Sequence, residues 1–409
     1  MVINNKMHIA ILAPSHKSFI SDFLPNYLER DLPEGYSGAP FIGTLIAELL
    51  ILNHTVTAIT TTTAVGDDYS IKQYVNGNFT WILVPARPRS FAFNGFKLGR
   101  ILDFYFLEQK KIVEILSLVK PDIVHAHWSY EFAGAAIKSG IPFLGTVHDN
   151  AFVVLRYFKN IYRFFRLLMS EKYLSKIKYA STPSPYMLKY VRNRCESVKI
   201  IPNPVSICYK QSCINSFVDS KTKSLSSPKI IMIFNGWDER KNGKTALNAF
   251  KLLSTKIPKA QLFLFGAGTE MNGYAFNDAK QMNIENVIFN GSVSHNDIID
   301  AIKDSHILLH SALEESFGVV LIESMSFGVP AIGGRNSGAV PWVIKNDNLC
   351  VDVRDPEEIA NKMFNLLTDE YFYQKSALSG FLNVVNRFSS KIVVKKYLDY
   401  YQEILQNHL

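Results

Sequence analysis

Short apolar runs alternate with longer stretches of helical periodicity along most of this chain, and the alternation occurs in two successive series. In the first series the apolar runs lie at 9–12, 55–60, 81–84, 123–126 and 143–147, with helical stretches at 44–52 and 107–119. A helix between two strands returns the chain to the same edge of the sheet, so the strands it joins are parallel. The pattern predicts a parallel sheet with helices on both faces.

A second series of the same kind begins at residue 230. Its apolar runs lie at 230–234, 262–265, 287–289, 307–309 and 331–333, with helical stretches at 244–254, 297–303 and 319–327. Two such series predict an α/β chain with two Rossmann-like, doubly wound domains. The length of 409 residues agrees, because a domain ordinarily has about 150 residues.

The boundary between the two series is marked by the segment 201–204, read as IPNP, and by a polar stretch at 211–228 that is rich in Ser and Lys. We expect 211–228 to be a linker or an exposed loop. The domains are therefore predicted at 1–205 and 206–390. The segment 391–409 has a helical pattern with no strand after it, and we expect this helix to cross back to the first domain.

The charge of the chain is basic, with 44 Lys and Arg against 36 Asp and Glu, a net charge of +8. Such a charge favours anionic partners and leaves nucleotides, nucleic acid and an anionic membrane surface open. Hydrophobic residues make up 47% of the chain and charged residues 20%, which excludes disordered, collagen-like and coiled-coil classes. No apolar run reaches the roughly 18 residues that span a bilayer, so we do not expect an integral membrane protein.

The cysteines indicate the compartment. Cys195, Cys208, Cys213 and Cys350 form no Cys-x-x-Cys pair and have no spacing typical of a zinc site. This usage is typical of a reducing environment, so we expect a cytoplasmic protein whose cysteines are inert packing residues. The apolar run 7–14 lacks the small-x-small cleavage site of a signal peptide and is expected to be a first strand.

Two glutamates, Glu315 and Glu323, flank a strand end, a glycine turn and a helix start. A helix that begins there directs backbone N–H groups at a ligand above the sheet, which suits a diphosphate. A glycosidase pair of carboxylates needs roughly 5–9.5 Å between them. If both glutamates lay on one helix, eight steps of about 1.5 Å would separate them by about 12 Å. The spacing therefore favours one carboxylate at each end of a sugar nucleotide.

The segment 315–323 resembles the Glu-x7-Glu signature of retaining glycosyltransferase family 4, a GT-B fold group that moves sugars from nucleotide donors. Other segments are similar to the family's motifs in the same order: PDIVHAH at 121–127, TVHD at 146–149, IPN at 201–203, GWDERKNG at 236–243, LFGAG at 264–268 and FNG at 289–291. The chain departs from the family at Gly236-Trp237-Asp238, where Gly-Arg-Leu is usual. Ser37-Gly38 stands where the family has a Gly-Gly pair.

The resemblance implies two domains that face each other across a cleft, with the donor in the second and the acceptor in the first. The reaction implied is retaining transfer of a hexose or N-acetylhexosamine from a nucleotide diphosphate sugar to a saccharide or lipid-linked saccharide. The product would be a bacterial envelope polysaccharide such as lipopolysaccharide. No cofactor, metal ion or nucleic acid is expected.

The site residues follow from the same resemblance. Lys241 and Arg240, which follow a strand and open a helix, are expected to neutralise the departing diphosphate. Arg240 would supply the family's missing guanidinium. Glu315 is expected to bind the sugar, Glu323 the ribose, and His148 the reacting side of the sugar. The expected donor-binding residues also include Gly38, Gly266, Gly291, Ser316, Phe317, Gly318 and Val319.

The segment 153–178 carries seven Lys or Arg and one acid, Glu171. The cations Arg156, Lys159, Arg163 and Arg166 recur at helical spacing, while Val154, Phe158, Ile161, Phe165 and Leu168 follow another face. We therefore predict one basic amphipathic helix. It is either an ordinary helix with a solvated basic face or a peripheral anchor at the inner face of the cell membrane.

Two other function classes remain open at this stage. A GT-B-like sugar-nucleotide epimerase would share the nucleotide site, and it would convert the donor without an acceptor. A noncatalytic basic membrane-binding protein would account for 153–178 but would leave the Glu315 to Glu323 arrangement unexplained.

Overall fold

The computed structural model describes residues 6–63, 70–207 and 211–408, with the side chains of 211 and 212 excepted. The chain divides into two compact units. The first unit runs to Pro204 and also includes the segment that begins at Ser390, and the second runs from Val205 to Ser389.

Each unit is built on one sheet. The sheet of the first unit has the order β3-β4-β2-β1-β5-β6-β7-β8 and that of the second has the order β11-β10-β9-β12-β13-β14, within the described residues. All pairs are parallel except the β3–β4 hairpin. The strands of the first sheet are β1 (His8–Leu12), β2 (Thr55–Thr62), β3 (Lys72–Asn76), β4 (Phe79–Pro85), β5 (Ile123–His127), β6 (Phe143–Thr146), β7 (Tyr179–Thr182) and β8 (Ser197–Ile200). Those of the second are β9 (Lys229–Ile233), β10 (Gln261–Phe265), β11 (Val287–Gly291), β12 (Ile307–His310), β13 (Ala331–Gly334) and β14 (Cys350–Val351).

The helices lie between the strands. In chain order those before Pro204 are α1 (Lys17–Ile20), α2 (Phe41–Ile51), α3 (Phe106–Val119), α4 (Glu131–Ser139), α5 (Ala151–Phe158), α6 (Ile161–Leu174) and α7 (Pro185–Val191). The second unit has α8 (Gln211–Thr222), α9 (Gly243–Lys256), α10 (Tyr274–Gln281), α11 (His295–Asp304), α12 (Val319–Ser326), α13 (Val340–Ile344), α14 (Pro356–Thr368) and α15 (Glu370–Arg387). The last helix, α16 (Ser390–Gln406), belongs to the first unit. The predicted α/β class with two parallel sheets is confirmed.

The helix α16 packs on the first sheet through buried tyrosines. Tyr397, Tyr400 and Tyr401 are almost fully buried, and the hydroxyl of Tyr401 lies 2.6 Å from Nδ1 of His125 on β5. At its start, Ser390 donates a hydrogen bond to the carboxylate of Glu48 on α2. These contacts hold the end of the chain on the first unit.

The prediction that 211–228 is a linker or loop is wrong over 211–222, which is the helix α8. Ile214 and Val218 are buried, and a side chain added at Gly328 would meet both of them at 3.0 Å. Because residues four apart share one helix face, Ile214 and Val218 together pack one face of α8 against the loop at Gly328.

The segment 153–178 is two helices rather than one. The backbone leaves the helical region at Lys159, with φ 28° and ψ 41°, and the Asn160 side chain caps α6 by accepting from the Arg163 N–H at 2.9 Å. Ile161 and Leu168, expected on the buried face, are exposed. The break rotates α6 about its axis relative to a continuation of α5. The side of α6 that packs on the core is therefore not the one that the periodicity of a single helix predicts.

Arg166 does not lie on a solvated basic face with Arg156, Lys159 and Arg163, as the sequence pattern predicted. Its guanidinium is buried, lies 2.5 Å from the carboxylate of Glu131 and stands 3.6 Å above the ring of Tyr130. Its charge is therefore used inside the first unit. Arg156 and Lys159 remain exposed, and Arg163 is half-buried.

The cysteines match the expected packing role only in part. Cys350 is buried and Cys195 half-buried, and burial raises the pKa of their thiols to about 11 and about 12. Cys213 is exposed, so the prediction that it packs is wrong. Cys208 lies outside the described residues.

Candidate functional site

The central part of the site is formed where two neighbouring strands of the second sheet end. β9 and β12 pair in parallel, so the loops that follow them leave the same edge of the sheet. Backbone contacts bind these loops together: the Leu313 N–H donates to the Arg240 carbonyl at 2.8 Å, and the Ser311 hydroxyl donates to the Lys241 carbonyl at 2.7 Å. Residues from both loops therefore form one surface.

Lys241 and Glu315 meet on this surface. The Lys241 Nζ lies 3.4 Å from the Glu315 Oε2, and the His310 Nε2 lies 3.6 Å from the same oxygen. All three side chains are largely shielded from solvent. Burial alone raises the pKa of Glu315, but the charge of Lys241 and the contact with His310 outweigh it and hold that pKa well below its usual range. Glu315 is thus ionised at neutral pH.

Arg240 lies beside this group but faces another carboxylate. It belongs, with Lys241, to a short 3-10 helix, Glu239–Lys241, that the Asp238 side chain caps. Its Nη1 lies 3.5 Å from the Glu314 carbonyl oxygen and 3.9 Å from the Glu314 carboxylate. Two adjacent cations therefore contact two adjacent acids.

The helix α12 begins next to Glu315. Its N-cap residue, Gly318, has φ 86° and carries no side chain that could cap the helix. At this φ any residue with a Cβ is strained, and a Cβ would also crowd the Glu315 Cγ at 3.3 Å and a methyl of Leu321 at 2.8 Å. Of the neighbouring predicted residues, Phe317 is buried and Val319 is the first residue of the helix. The first-turn N–H groups of α12 are thus close to Glu315.

Glu323 lies further along α12 and has a partner that the sequence did not indicate. Its carboxylate is nearly buried and lies 2.8 Å from the Nε2 of His295, the first residue of α11. The hydrogen bond to Glu323 raises the pKa of His295, against the opposing effect of burial. The pair joins the start of α11 to the middle of α12.

The predicted glycines of the next loop are close to one another. The Gly266 N–H donates to the Gly291 carbonyl at 2.7 Å. Gly266 has φ 109°, and a Cβ there would lie 1.9 Å from the Phe234 carbonyl oxygen, so no other residue can occupy this position. This close approach brings the ends of β9, β10 and β11 together.

In the first unit, His148 belongs to a buried histidine group. Its Nε2 lies 2.9 Å from the His127 Nδ1, and the two rings are stacked. The ring of His125 lies 4.0 Å from that of His127. Burial lowers the pKa of His148 to about 3 and also lowers those of the other two, so all three are neutral at physiological pH.

Gly38, the other predicted residue in the first unit, lies in the loop before α2. Its φ is 104°, and a Cβ there would meet nothing within 4 Å. The backbone at this position is therefore open to close approach.

A polar cavity lies beside this loop. It has a volume of about 260 Å³, and residues with hydroxyl groups dominate its walls. The lining side chains include Tyr36, Ser37, Thr61, Thr62, Arg100, Tyr105 and Tyr162.

No helix of 6–63, 70–207 and 211–408 has the length and apolar character needed to cross a bilayer. Over the same ranges no group of three or more His, Cys, Asp or Glu side chains is placed to hold a metal ion.

Comparison with known proteins agrees with this geometry. Residues 217–378 match the family described as Glycosyl transferases group 1, and residues 39–207 match Glycosyltransferase Family 4. The chain belongs to glycosyltransferase family 4. It is 30% identical over 185 residues to N-acetyl-alpha-D-glucosaminyl L-malate synthase of Bacillus anthracis, a match that spans 44% of this chain and 47% of that enzyme.

Two solved structures show that this family 4 chain has the GT-B fold. Sucrose-phosphate synthase from Thermosynechococcus elongatus superposes with a TM-score of 0.72 at 17% identity, over 98% of this chain and 100% of that one. HepE from Anabaena, in complex with UDP and glucose, superposes with a TM-score of 0.62 at 14% identity, over 97% and 100% of the two chains.

The departure from the family 4 pattern at Trp237 has a structural role. The indole ring covers Gly243, where an added Cβ would lie 2.3 Å from a ring atom, and the indole N–H donates to the Asp278 carboxylate at 2.8 Å. The ring also makes an edge contact with Phe234. Trp237 therefore packs between α9 and α10.

Sequence reasoning missed two residues of the site. His310 is the last residue of β12, and the rule that ligands bind at the carboxyl ends of parallel strands was sufficient to suggest it. His295 had no such signal, because its contact with Glu323 depends on how α11 packs on α12.

Proposed function

We propose that this protein transfers a hexose or N-acetylhexosamine from a nucleotide diphosphate sugar to a saccharide or lipid-linked saccharide, with retention at the anomeric carbon. The product is a bacterial envelope polysaccharide such as lipopolysaccharide. The observation that carries the proposal is the Lys241–Glu315–His310 cluster beside the start of α12. A cation, an ionised carboxylate and a helix N-terminus without a side-chain cap together suit a sugar diphosphate.

The leaving diphosphate gains negative charge as the bond to the sugar breaks. Lys241 and Arg240 supply positive charge, and the first-turn N–H groups of α12 supply hydrogen-bond donors. Because these groups are fixed before the reaction, they stabilise the developing charge without reorganising. Their charge also makes a bound metal ion unnecessary in this proposal.

Glu315 binds the donor sugar in this proposal. Its ionised oxygens accept hydrogen bonds from sugar hydroxyls, and Lys241 and His310 keep it ionised. Glu323 accepts hydrogen bonds from the ribose hydroxyls, and His295 holds its carboxylate in place. Gly266, Gly291 and the segment 316–319 give the backbone close access to the nucleotide.

The acceptor is assigned to the first domain. The cavity lined by hydroxyl side chains and Arg100 suits a polar saccharide. His148, being neutral, would act as a hydrogen-bonding group toward the reacting sugar and not as a cation. Gly38 allows the backbone to approach the donor.

Retention requires no nucleophile from the protein. An oxygen of the departing diphosphate accepts the proton of the acceptor hydroxyl. The oxygen of that hydroxyl bonds to the anomeric carbon on the same face that the diphosphate leaves. The sugar–phosphate bond breaks, the new glycosidic bond forms, and the nucleoside diphosphate carries the proton away.

The proposed location is the cytoplasm, with peripheral attachment at the inner face of the cell membrane. The surface that supports it is the segment 153–178, whose exposed or half-buried cations include Arg156, Lys159 and Arg163. Each cation near an anionic membrane surface contributes about 1 kcal/mol to the free energy of membrane binding.

The test is a transfer assay with UDP-, GDP- and ADP-linked hexoses and N-acetylhexosamines, with saccharide acceptors and membrane lipid extract. We expect acceptor-dependent release of the nucleoside diphosphate, and an α-linked product from an α-linked donor by NMR. The same donors without acceptor provide the control. An epimerised donor in that control would identify an epimerase instead.

A further inference from the structure

The loop between β4 and α3 exposes more large apolar side chains than the proposed reaction explains. We call residues 88–106 the aromatic loop. Single exposed apolar residues are ordinary on protein surfaces, but a contiguous group of them marks a binding surface. The exposed members of this loop are Phe91, Phe93, Phe96, Leu98, Leu102 and Phe106.

The aromatic loop packs against the first part of α6. The ring of Phe91 lies 6.4 Å from that of Tyr162 and 6.0 Å from that of Phe165. Every exposed phenylalanine of the described residues lies in the aromatic loop or on α5 and α6, where Phe152 and Phe164 are exposed. Through Phe91 the loop and the start of α6 therefore form one apolar surface.

The loop is folded and holds its aromatic side chains outward. Asn94 and Lys97 exchange backbone hydrogen bonds around a two-residue turn, with Phe96 fully exposed at the tip. The Asn94 side chain also bonds to the backbone at Arg89 and Leu98. Because the loop is already ordered, insertion into another phase costs little conformational entropy.

The positive charge of this surface indicates which kind of bilayer it binds. The aromatic loop contains three cations, Arg89, Lys97 and Arg100, and one acid, Asp103. The carboxylate of Asp103 is already paired, with Arg87 at 2.7 Å. Phenylalanines surrounded by cations fit the interface of an anionic bilayer, where the rings enter the acyl region and the cations meet phosphate groups.

The same loop also borders the polar cavity. Arg100 and Tyr105 of the loop, and Tyr162 of α6, line the cavity that we assign to the acceptor. We propose that the aromatic loop inserts Phe93 and Phe96 into an anionic bilayer, and that the acceptor is a saccharide whose lipid remains in that bilayer. The second part rests on the proposed function, whereas the first does not.

The insertion is tested with full-length protein and vesicles of phosphatidylglycerol and phosphatidylethanolamine, with phosphatidylcholine vesicles as the neutral comparison. In Phe96→Trp the new indole should shift its emission to the blue on anionic vesicles and be quenched by brominated lipid. Leu118→Trp, at an exposed position on α3, is the matched control and should not respond. The double variant F93S/F96S should bind these vesicles more weakly than wild type, by about tenfold or by a larger factor. Neither phenylalanine contributes to the core, so the fold should be preserved.

Four results would overturn the inference. Wild-type protein that ignores anionic vesicles would do so, as would binding to neutral vesicles of equal strength. Binding without quenching of Phe96→Trp would show adsorption without insertion. Wild-type protein could instead sediment as a dimer and not bind vesicles, while F93S/F96S sediments as a monomer. That result would assign the surface to a second copy of the chain. None of these measurements uses a donor or an acceptor, so the transfer reaction can stand or fall separately.

Discussion

The Lys241 ammonium lies 3.4 Å from the Glu315 carboxylate, although the two residues come from different loops of the second sheet. The charge of Lys241 helps to keep Glu315 ionised in a largely shielded place. The pair brings a cation for the diphosphate and an anion for the sugar hydroxyls to one surface. Because Lys241 and Glu315 depend on each other, substitution of either one should affect both parts of donor binding.

Lys241→Ala should lower kcat by about 100-fold or more, because the charge that develops on the diphosphate loses its nearest cation. It should also reduce stability, since Glu315 is left shielded without its main counter-charge. Steady-state kinetics and urea unfolding measure the two effects. Lys244→Ala, three residues along and exposed, is the control and should change neither strongly. Unchanged turnover in the Lys241 variant would transfer the role to another residue.

Glu323→Ala should weaken binding of the nucleoside diphosphate by about 1–3 kcal/mol, because ribose hydroxyls lose their acceptor. Isothermal titration gives the affinity directly. Glu239→Ala, on the loop that carries Lys241, serves as the control for removal of one negative charge from the second domain. Wild-type affinity in a folded Glu323 variant would exclude the ribose role.

The His295–Glu323 pair predicts a pH dependence of stability. The pKa of His295 is raised in the folded chain above its unfolded value of about 6.5, so the stabilisation is complete below pH 6.5 and is lost as pH rises through the folded pKa. His295→Gln should therefore destabilise the protein more at pH 6 than at pH 9, by less than about 1 kcal/mol because the imidazole is partly exposed. An equal effect at both pH values would contradict the charged pair.

The buried histidines predict the opposite trend in acid. The pKa of His148 falls from about 6.5 when unfolded to about 3 when folded, so the stabilisation is present above pH 6.5 and is lost as pH falls toward 3. One such group changes the free energy of unfolding by about 1.4 kcal/mol per pH unit. Unfolding curves between pH 6.5 and 4.5 should be less pH-dependent in His148→Asn than in wild type. Parallel curves would mean that His148 protonates in the folded state.

Arg166 and Arg163 form a matched pair of cations on α6. Arg166→Ala should cost about 3–5 kcal/mol, because the buried carboxylate of Glu131 loses its counter-charge. Arg163→Ala should cost less than about 1 kcal/mol, since its ring contacts lie at the surface. Urea unfolding compares the two, and similar losses would contradict the burial of Arg166. Charge-reversal tests of membrane binding should therefore use Arg156, Lys159 and Arg163 alone.

The fold followed from the sequence because buried parallel strands give continuous apolar runs, as at 307–310 and 331–334. The meeting of Lys241 and Glu315 was also predictable in outline, since both follow strands whose carboxyl ends share one edge. Helix α8 was missed because its polar composition resembles a linker, and only packing reveals the role of Ile214.

Two other features could not be predicted from the sequence, for the same physical reason. Charge periodicity does not identify which arginine meets a buried acid on another helix, as Arg166 meets Glu131. Likewise, the phenylalanines of the aromatic loop resemble core residues in the sequence, and their exposure follows only from the turn at 94–97. Both depend on contacts between separate elements, which local patterns do not encode.

The central claim, that the second domain binds a nucleotide sugar through Lys241, Glu315 and Glu323, is tested most directly by thermal unfolding with UDP, GDP and ADP. We predict that at least one nucleoside diphosphate raises the Tm of wild-type protein in a concentration-dependent way, and that Glu323→Ala and Lys241→Ala reduce the shift. If none of the three nucleotides changes the Tm of folded wild-type protein at millimolar concentration, the donor site proposed here is contradicted.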